Sequence, residues 1–496
     1  MAQTPAPASN LAPASNPAPR EHVDVLVVGA GLSGIGAAAR LTRDHPDLEL
    51  RILEARDAIG GTWDLFRYPG VRSDSDMYTL GYRFKPWLGE KALADGASIR
   101  AYVEETAAEH DLVDRIRFGH RVVAASWDSA AARWTVEVVV GGEAATYTAG
   151  FLYCCSGYYD YDAGYRPVFP GEETFAGQFV HPQEWPEDLD YAGKKVVVIG
   201  SGATAITLVP SMAGTAEHVT MLQRTPTYVI SIPARDQLSL LLRKVLPEMP
   251  AYQVTRWRNV LQQMVFYNAS QAFPSVVKRG VRAWTKRQVP GLDVDTHFNP
   301  PYDPWDQRFC VVPDGDLYRT LRSGDASIAT GRIATFTPTG IRLESGEEIE
   351  ADVVVTATGL NLLAFGGMRF TVDGADVKLP ETMSYRGLML TGIPNFAYTL
   401  GYTNASWTLK ADLVADYVSR VLRRLRGEGW EKVEVRRDPA VAEAPLMDFE
   451  AGYVLRAVDQ LPKQGAEAPW KMVQNYLYDM RALRRSDLDD DAISWS

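Results

Sequence analysis

Residues 22–41 read HVDVLVVGAGLSGIGAAARL, a short apolar run followed by a glycine-rich turn and a helical stretch. Three glycines, Gly29, Gly31 and Gly34, have the spacing G-x-G-x-x-G. In a dinucleotide-binding fold, the first permits the tight turn and the second lets a pyrophosphate approach the backbone. The third lets helix and strand pack closely. The spacing alone is weak evidence, because an ordinary glycine turn can show it.

The next apolar run strengthens the interpretation. Residues 48–54, LELRILE, read as a strand that ends in Glu54, about 20 residues beyond the loop, where an acid meets a ribose hydroxyl. A dinucleotide site near the N-terminus that carries a glutamate is of the FAD type. The sequence therefore predicts that FAD contacts the loop at Gly29, Gly31, Ser33 and Gly34, and that Glu54 holds its ribose.

The same unit recurs later in the chain. Residues 194–205 read KKVVVIGSGATA, with the spacing G-x-G-x-x-A, and the following strand, HVTMLQRTP, carries Arg224 where the first unit has an acid. A carboxylate would repel a 2′-phosphate, whereas a guanidinium can hold one bidentately, so this site predicts NADPH. A surface arginine without a ligand is the alternative. The residues predicted to hold NADPH are Gly200, Ser201, Gly202, Ala203, Thr204, Ala205, Arg224 and Thr225.

Composition limits the classes to which the chain can belong. Its 496 residues exceed what one core usually supports, so two or three domains are expected. The formal charge of −11 argues against a nucleic-acid partner, because such a partner requires a basic face. The three cysteines include the adjacent Cys154 and Cys155 and provide neither a disulfide framework nor a Cys-x-x-Cys pair, which indicates a reducing compartment.

The N-terminal segment is excluded from the fold. Residues 1–20 repeat Ala, Pro, Ser and Asn, lack the apolar core of a signal peptide and are predicted to form a disordered tail. No run reaches the roughly 18 apolar residues that a membrane span needs. We therefore expect a cytoplasmic protein.

Two further stretches carry a family resemblance. Residues 60–74 read GGTWDLFRYPGVRSD and residues 175–186 read FAGQFVHPQEWP. With the two nucleotide loops, they resemble the type I Baeyer-Villiger monooxygenases, most closely the ethionamide-activating monooxygenase subgroup. Related flavin N- and S-oxygenases usually carry Tyr or Phe in place of the tryptophan of the second stretch. The family pattern F-x-G-x-x-x-H-x-x-x-W-P is matched here by Phe175, Gly177, His181, Trp185 and Pro186.

The resemblance implies an α/β fold with two dinucleotide-binding Rossmann-like domains and a helical insert, the architecture of class B flavoprotein monooxygenases. Its implied boundaries assign residues 21–165 and 360–496 to the FAD domain and residues 166–231 and 307–359 to the NADPH domain. The insert then comprises residues 232–306.

The implied activity is oxidation of ketones to esters or lactones with NADPH and dioxygen, through a C4a-peroxyflavin. Arg308 would stand beside the anionic adduct, and Asp74 would be its carboxylate partner. One alternative is oxygenation of sulfides, thioamides or amines, which the same enzyme can combine with the first activity. A more remote alternative is a non-catalytic redox sensor that only binds NADPH.

The resemblance also assigns supporting residues. Gly61, Thr62, Trp63, Asp64 and Asp74 would lie along the flavin, and Val122 would clamp the adenine through its backbone. His181 is interpreted as a linchpin between the two domains, with a buried structural histidine as the equal alternative. No second ligand lies at useful spacing, so no metal site is predicted.

Two details remain open at this level. Residues 403–410, TNASWTLK, read as a capped helix start whose free amides could face the reduced flavin. Many Baeyer-Villiger enzymes carry a lysine immediately before the catalytic arginine, and Gln307 occupies that position here. We keep NADPH as the coenzyme, with Arg224 carrying more of the selectivity. The substrate, a ketone or a sulfide, and the choice between monomer and homodimer stay unassigned.

The insert is basic. From Arg235 to Arg287 it holds ten Lys or Arg against Asp236 and Glu248, within an acidic protein. A basic face with interleaved Trp and Leu could make weak peripheral contact with anionic lipid. A solvated helical face over the active site is the commoner explanation, and it is the one favoured by the sequence.

Overall fold

The computed structural model describes residues 21–307, 309–447 and 452–496. Two predictions fall outside this range. The predicted disordered tail, residues 1–20, and the predicted catalytic residue Arg308 both lie outside the described residues. The residues next to them, Glu21, Gln307 and Phe309, are described.

The first part of the chain begins with alternating strands and helices. Its strands are β1 (Glu21–Val28), β2 (Leu50–Leu53), β3 (Ile116–Arg117), β4 (His120–Asp128), β5 (Arg133–Val140), β6 (Glu143–Cys154) and β7 (Tyr159–Gly164). Its helices are α1 (Leu32–Asp44), α2 (Thr62–Leu65), α3 (Met77–Leu80) and α4 (Gly96–Glu109). The last four residues of β1 are all buried, as expected for an inner strand of a parallel sheet.

The middle part contains the second dinucleotide unit and the insert. Its strands are β8 (Gln178–Val180), β9 (Lys195–Ile199), β10 (His218–Gln223), β11 (Val229–Ile232), β12 (Cys310–Pro313), β13 (Ala326–Thr330), β14 (Ile333–Thr337), β15 (Gly340–Leu343), β16 (Glu348–Glu350) and β17 (Val353–Thr356). Its helices are α5 (Ala203–Met212), α6 (Gln237–Val245), α7 (Glu248–Ala272), α8 (Pro274–Gln288), α9 (Val294–His297) and α10 (Asp316–Ser323). Helices α6 to α9 form the insert.

The last part returns to the first sheet. Its strands are β18 (Leu360–Leu362), β19 (Arg369–Val372), β20 (Ala375–Asp376), β21 (Ser384–Tyr385), β22 (Met389–Leu390), β23 (Phe396–Tyr398), β24 (Val433–Val435), β25 (Glu443–Pro445), β26 (Lys463–Gly465) and β27 (Ile493–Trp495). Its helices are α11 (Trp407–Glu428), α12 (Gly452–Leu455) and α13 (Tyr476–Arg484).

Two sheets organise these elements. The larger has the strand order β20-β19-β4-β5-β6-β1-β2-β3, with β23 also paired to β6. Within it, β1 pairs in parallel with both β2 and β6. The smaller sheet has the order β13-β10-β9-β17-β8, and its pairs are all parallel. In each sheet an inner strand leads through a glycine turn into a helix. The predicted α/β class with two Rossmann-like units is therefore confirmed.

One segment of the first part packs into the second. Phe66, Tyr68 and Val71 lie against the apolar core formed by β9, β10, β17 and α5. Arg72 Nη1 lies 2.6 Å from Asp316 Oδ2, at the start of α10, and both side chains are mostly buried. The segment 66–72 thus connects the two units through an ion pair and an apolar contact.

The insert packs against the first unit, although the chain enters and leaves it from the second. Arg256 on α7 is buried, and its Nη1 donates to the carbonyls of Tyr78 at 2.8 Å and Gly81 at 2.7 Å. Its Nη2 lies 3.2 Å from Asp412 Oδ2 on α11. Burial raises the pKa of Asp412, and the nearby guanidinium opposes that shift. This arginine therefore joins the insert to α3 and α11.

None of the helices among the described residues is long and apolar enough to cross a membrane.

We expect Arg256→Met to lower the free energy of unfolding by about 3–5 kcal/mol, because it leaves the carboxylate of Asp412 and several carbonyls buried without their cation. Urea unfolding of the FAD-loaded protein measures this. Arg279→Met, at an exposed position of α8, is the matched control and should leave the unfolding midpoint unchanged. Equal midpoints for the two variants would contradict the assignment.

Candidate active site

The first glycine loop forms the floor of a cavity of about 460 Å³. Gly29 has φ +103°, and a Cβ there would lie 2.7 Å from the Cys155 carbonyl oxygen. A Cβ on Gly34 would lie 1.8 Å from the Gly29 carbonyl oxygen, so this glycine allows α1 to approach β1. A Cβ on Gly31 would lie 3.5 Å from Gly61 Cα and 3.9 Å from the Gly60 carbonyl oxygen, which are ordinary contact distances. Gly31 lines the cavity, so the space above it is open to a ligand.

Glu54 follows β2 and lines the same cavity. It is buried, and its two carboxylate oxygens accept hydrogen bonds from the backbone amides of Ala30 at 2.7 Å and Arg56 at 2.9 Å. Burial raises the pKa of this carboxyl, and the two amides oppose the shift. The amides hold the carboxylate at the mouth of the glycine loop, where the predicted ribose contact requires it.

The stretch 60–64 forms a second wall of the first cavity. Gly61, Thr62 and Trp63 line the cavity. Asp64 does not line it; its carboxylate is buried and lies 2.6 Å from Arg56 Nη2 and 2.8 Å from Arg100 Nη1. Since Arg56 lines the cavity, Asp64 supports the wall rather than forming it.

The adenine position and the flavin end lie along the remaining walls. Val122 lines the cavity next to a register shift in the pairing of β4 with β5. Trp407 Nε1 donates to Ser33 Oγ at 2.7 Å, and the Trp407 ring stacks on Tyr158 with centroids 5.3 Å apart. Ser33 also lines the cavity, so Trp407 orients a residue predicted to contact FAD.

The prediction of a capped start for α11 is wrong in one respect. Ser406 stands at the N-cap position, but its side chain makes no capping hydrogen bond to the helix. Its hydroxyl lies 2.6 Å from Thr79 Oγ1 instead, so it joins α11 to α3. The sequence signal at residues 403–410 marks the helix start correctly but not the partner of this hydroxyl.

The second glycine loop lines a cavity of about 730 Å³. Gly200 has φ +140°, and a Cβ on Gly202 would meet nothing within 4 Å. The hydroxyl of Ser201 contacts the Thr225 carbonyl at 3.0 Å and the Thr227 hydroxyl at 2.9 Å. The predicted residues that line this cavity are Gly200, Ser201, Gly202, Ala203, Thr204, Arg224 and Thr225. Ala205 is buried in the core below the loop.

Arg224 is exposed and lines the second cavity, whereas its neighbour Gln223 is buried. The amide of Gln223 donates to the His297 carbonyl at 2.8 Å and to Thr330 Oγ1 at 2.9 Å. Arg332 also lines this cavity. A cation that can reach a 2′-phosphate therefore stands where the first unit has a carboxylate.

The stretch 175–186 lies between the two units. His181 lines the second cavity, its Nδ1 accepts from the Gln183 amide at 3.2 Å, and burial lowers its pKa. A Cβ on Gly164, at the end of β7, would lie 1.9 Å from the His181 ring. The ring thus packs directly on a strand of the other unit. Within the described residues, no group of three or more His, Cys, Asp or Glu side chains is arranged to hold a metal.

The other residues of this motif make contacts within the second unit. Phe175 packs edge-on against Phe179 and Phe336. A Cβ on Gly177 would lie 2.3 Å from the Asp352 carbonyl oxygen. Trp185 packs against the core of the second unit, and the Pro186 carbonyl accepts from the Leu189 amide at 3.3 Å.

The two cavities share a wall. Asp74, Tyr159 and Ala203 line both of them. Arg308 lies outside the described residues, but Gln307 and Phe309 line the second cavity. The predicted partner of Arg308 is therefore at the junction of the two cavities, where ligands of the two loops would meet.

This chain is similar to known proteins in sequence. Residues 92–366 match the family model described as flavin-binding monooxygenase-like. Residues 27–84 match an NAD(P)-binding Rossmann-like domain. The FAD-containing monooxygenase EthA of Mycobacterium tuberculosis is 53% identical over 479 residues, which cover 96% of this chain and 98% of that protein. The chain belongs to the flavin-binding monooxygenase-like family.

Solved structures with the same fold support the architecture of this monooxygenase. A steroid monooxygenase bound to NADP superposes with a TM-score of 0.74 at 24% identity, covering 96% of this chain and 99% of that chain. Cyclohexanone monooxygenase from Rhodococcus sp. Phi1 gives a TM-score of 0.69 at 21% identity, covering 84% of this chain and 87% of that chain. The predicted resemblance is confirmed, as are the cofactors FAD and NADPH.

The two cavities of the monooxygenase fit these cofactors. The second glycine of each loop lines its cavity and could carry a Cβ without a clash. The buried Glu54 or the exposed Arg224 directly follows the next strand. A pyrophosphate can therefore lie against either loop. The first cavity has a buried acid at the position predicted to hold a ribose, and the second has a cation at the position predicted to hold a 2′-phosphate.

Three aromatic residues of the monooxygenase site were missed by sequence reasoning: Tyr158, Tyr161 and Trp407. All three line the first cavity. The Tyr161 hydroxyl lies 3.2 Å from Thr62 Oγ1, and burial raises the pKa of Tyr161 to about 12. The run YYDYD, residues 158–162, closely follows the apolar run FLYCC, residues 151–155, and that position was the available signal.

The two glycines provide a paired test. Ala fits at both positions without a clash, so either variant should fold. The methyl group of Gly31→Ala would fill space that the pyrophosphate needs, so we expect lower FAD occupancy and a dissociation constant about 10-fold higher. Gly202→Ala should keep FAD and raise the KM for NADPH by about 10-fold. Flavin absorbance per protein and steady-state NADPH oxidation measure the two effects. Gly427→Ala, in open space on α11, is the control that should change neither.

Arg224→Gln tests the coenzyme preference. We expect the KM for NADPH to rise about 10-fold while the KM for NADH stays constant, since a hydrogen bond to a charged group contributes about 1.5–3 kcal/mol. Arg342→Gln, an exposed arginine on β15 paired with Glu348, is the matched control. Equal increases for NADPH and NADH in the Arg224 variant would show that this residue does not read the 2′-phosphate.

Proposed function

We propose that this monooxygenase is a Baeyer-Villiger enzyme that uses NADPH and dioxygen to convert ketones into esters or lactones. The observation that carries the proposal is the wall shared by the two cavities, formed by Asp74, Tyr159 and Ala203. Cofactors bound in the two cavities would have their reacting ends on either side of this wall. The motif matched at Phe175, Gly177, His181, Trp185 and Pro186, with Trp185 in place of Tyr or Phe, favours ketone oxidation over heteroatom oxidation.

The two units divide the cofactors between them. We infer that residues 21–165 and 360–496 hold FAD, that residues 166–231 and 307–359 hold NADPH, and that the insert 232–306 covers the junction. The two separate sheets and their glycine loops support this division. The segment 66–72 is an exception, because its apolar side chains contribute to the core of the second unit.

FAD, when bound, takes a hydride from NADPH and activates dioxygen for transfer to the substrate. The chain's own task is to hold a negatively charged oxygen nucleophile in a largely apolar cavity. An uncompensated anion is costly in such a place, and a guanidinium keeps its charge at every working pH. Arg308 is assigned this role, since its neighbours Gln307 and Phe309 line the cavity beside the shared wall.

Asp74 is assigned the role of positioning Arg308. It lines both cavities, so its carboxylate lies in the region where the Arg308 guanidinium would act. A carboxylate partner lowers the cost of placing a cation in a partly buried site and restricts where it points. Trp63 and the Trp407–Tyr158 stack would bound the flavin on its other sides.

Arg308→Ala should retain FAD and still be reduced by NADPH, but it should form ester about 10²- to 10³-fold more slowly, as expected on loss of one preorganised charge donor. Anaerobic reduction by NADPH and product analysis with ketone and sulfide panels measure the two steps. Arg279→Ala, distant in sequence and exposed on α8, is the control. Normal ester formation by Arg308→Ala would remove this residue from the mechanism. Sulfoxides as the only products of the wild-type protein would favour heteroatom oxygenation.

A further inference from the structure

Helix α7 buries polar as well as apolar side chains, and its exposed side is largely apolar. Its buried residues include Thr255, Arg256 and Asn259, and the amide of Asn259 donates to Asp76 Oδ1 at 2.8 Å. Its exposed residues Val254, Trp257, Leu261 and Val265 follow each other at spacings of three and four, which places them on one helix face. A helix at the surface of a globular protein normally shows the reverse arrangement.

The neighbouring helices of the insert extend this pattern. Of the 17 large hydrophobic side chains that are exposed in the described residues, ten lie between Leu238 and Val276. Val265 is 67% exposed and Phe273 is 63% exposed. We call these ten the apolar face: Leu238, Leu241, Val245, Leu246, Val254, Trp257, Leu261, Val265, Phe273 and Val276. A concentration of this kind marks an interaction site.

Charge around the apolar face is positive. Residues 237–292 hold nine Lys or Arg and one acid, Glu248. Four of these bases are compensated: Arg256 by Asp412, Arg258 by Asp236, and both Arg282 and Lys286 by Asp295. The other five have no carboxylate partner among the described residues; they are Arg243, Lys244, Lys278, Arg279 and Arg287. The basic character predicted from the sequence is therefore about half cancelled, and the remaining bases lie on α6 and α8, which also carry part of the apolar face.

We propose that the apolar face is a docking surface for an anionic lipid bilayer. Its Leu, Val and Phe side chains would enter the acyl boundary, Trp257 suits the interface, and the five cations would contact the headgroups. The whole chain has a formal charge of −11, so the part outside the insert is acidic and would face away from the lipid. A symmetric contact with a second copy is disfavoured, because it would bring the five cations of each copy together.

The same helix also reaches the active site. Phe266 on α7 packs against Trp305, with ring centroids 6.2 Å apart, and against Phe309 at 5.4 Å. Phe309 lines the second cavity. If the proposed ketone oxidation is correct, docking would bring the cavity to apolar substrates dissolved in the bilayer. The docking itself does not rest on that activity.

Flotation of the FAD-loaded protein with lipid vesicles tests the proposal. We expect binding to phosphatidylcholine vesicles that contain phosphatidylglycerol, with at least about 10-fold weaker binding to phosphatidylcholine alone, since each cation near an anionic surface contributes about 5-fold. Added salt should weaken the binding by screening. The triple variant Leu241→Glu, Leu261→Glu and Val265→Glu should bind both kinds of vesicle at least about 10-fold more weakly than the wild type. Its FAD content and NADPH oxidation should match the wild type.

Two further variants keep the proposal falsifiable. Lys244→Gln, Arg279→Gln and Arg287→Gln together should remove the preference for phosphatidylglycerol. Val113→Glu, Val168→Glu and Leu477→Glu, at exposed apolar positions outside the insert, form the matched control and should bind as the wild type does. The proposal is overturned by a wild-type protein that binds no vesicle or by a control that loses binding equally. It is also overturned if the apolar-face variant changes only the oligomeric mass in sedimentation, which would identify a contact between copies.

Discussion

The ion pair between Arg72 and Asp316 and the burial of Tyr68 beside it hold the two nucleotide-binding units in one arrangement. A surface ion pair would contribute little, but here both side chains are mostly buried and an apolar contact excludes water around them. In this arrangement the two cavities share a wall. The proposed chemistry depends on it, because a hydride moves only between groups in contact.

Three charged side chains of this protein lie in three different environments, and each environment has a different consequence. Glu54 is buried and held by two backbone amides, so its carboxylate is fixed at the first cavity. Arg256 is buried and neutralised by Asp412 and carbonyl oxygens, so it serves the fold. Arg224 stays exposed at a cavity wall, where it is available to a ligand. Residue type alone does not distinguish the second case from the third.

The insert illustrates how counting charges in a sequence can mislead. Ten basic residues suggested one basic face, yet the structure pairs several of them with carboxylates, some inside the insert and some, Glu90 and Asp412, outside it. The feature that stands out instead is the exposed side of α7, where Val254, Leu261 and Val265 face outward. Polar residues such as Asn259 are buried toward α3. Helical periodicity gives the spacing of such a stripe, but the packing partner decides which side is buried.

Local patterns were sufficient to predict the two glycine loops, Glu54 and Arg224, because each depends on a strand, a turn and a helix that are adjacent in the chain. The insert helices were likewise visible in the sequence. Only the tertiary structure could place Asp74 at both cavities, turn Asp64 away from the first, join Trp407 to Ser33, and bring α7 onto the first unit. These contacts join residues far apart in the chain, and their geometry follows from how the packed units meet rather than from any local preference.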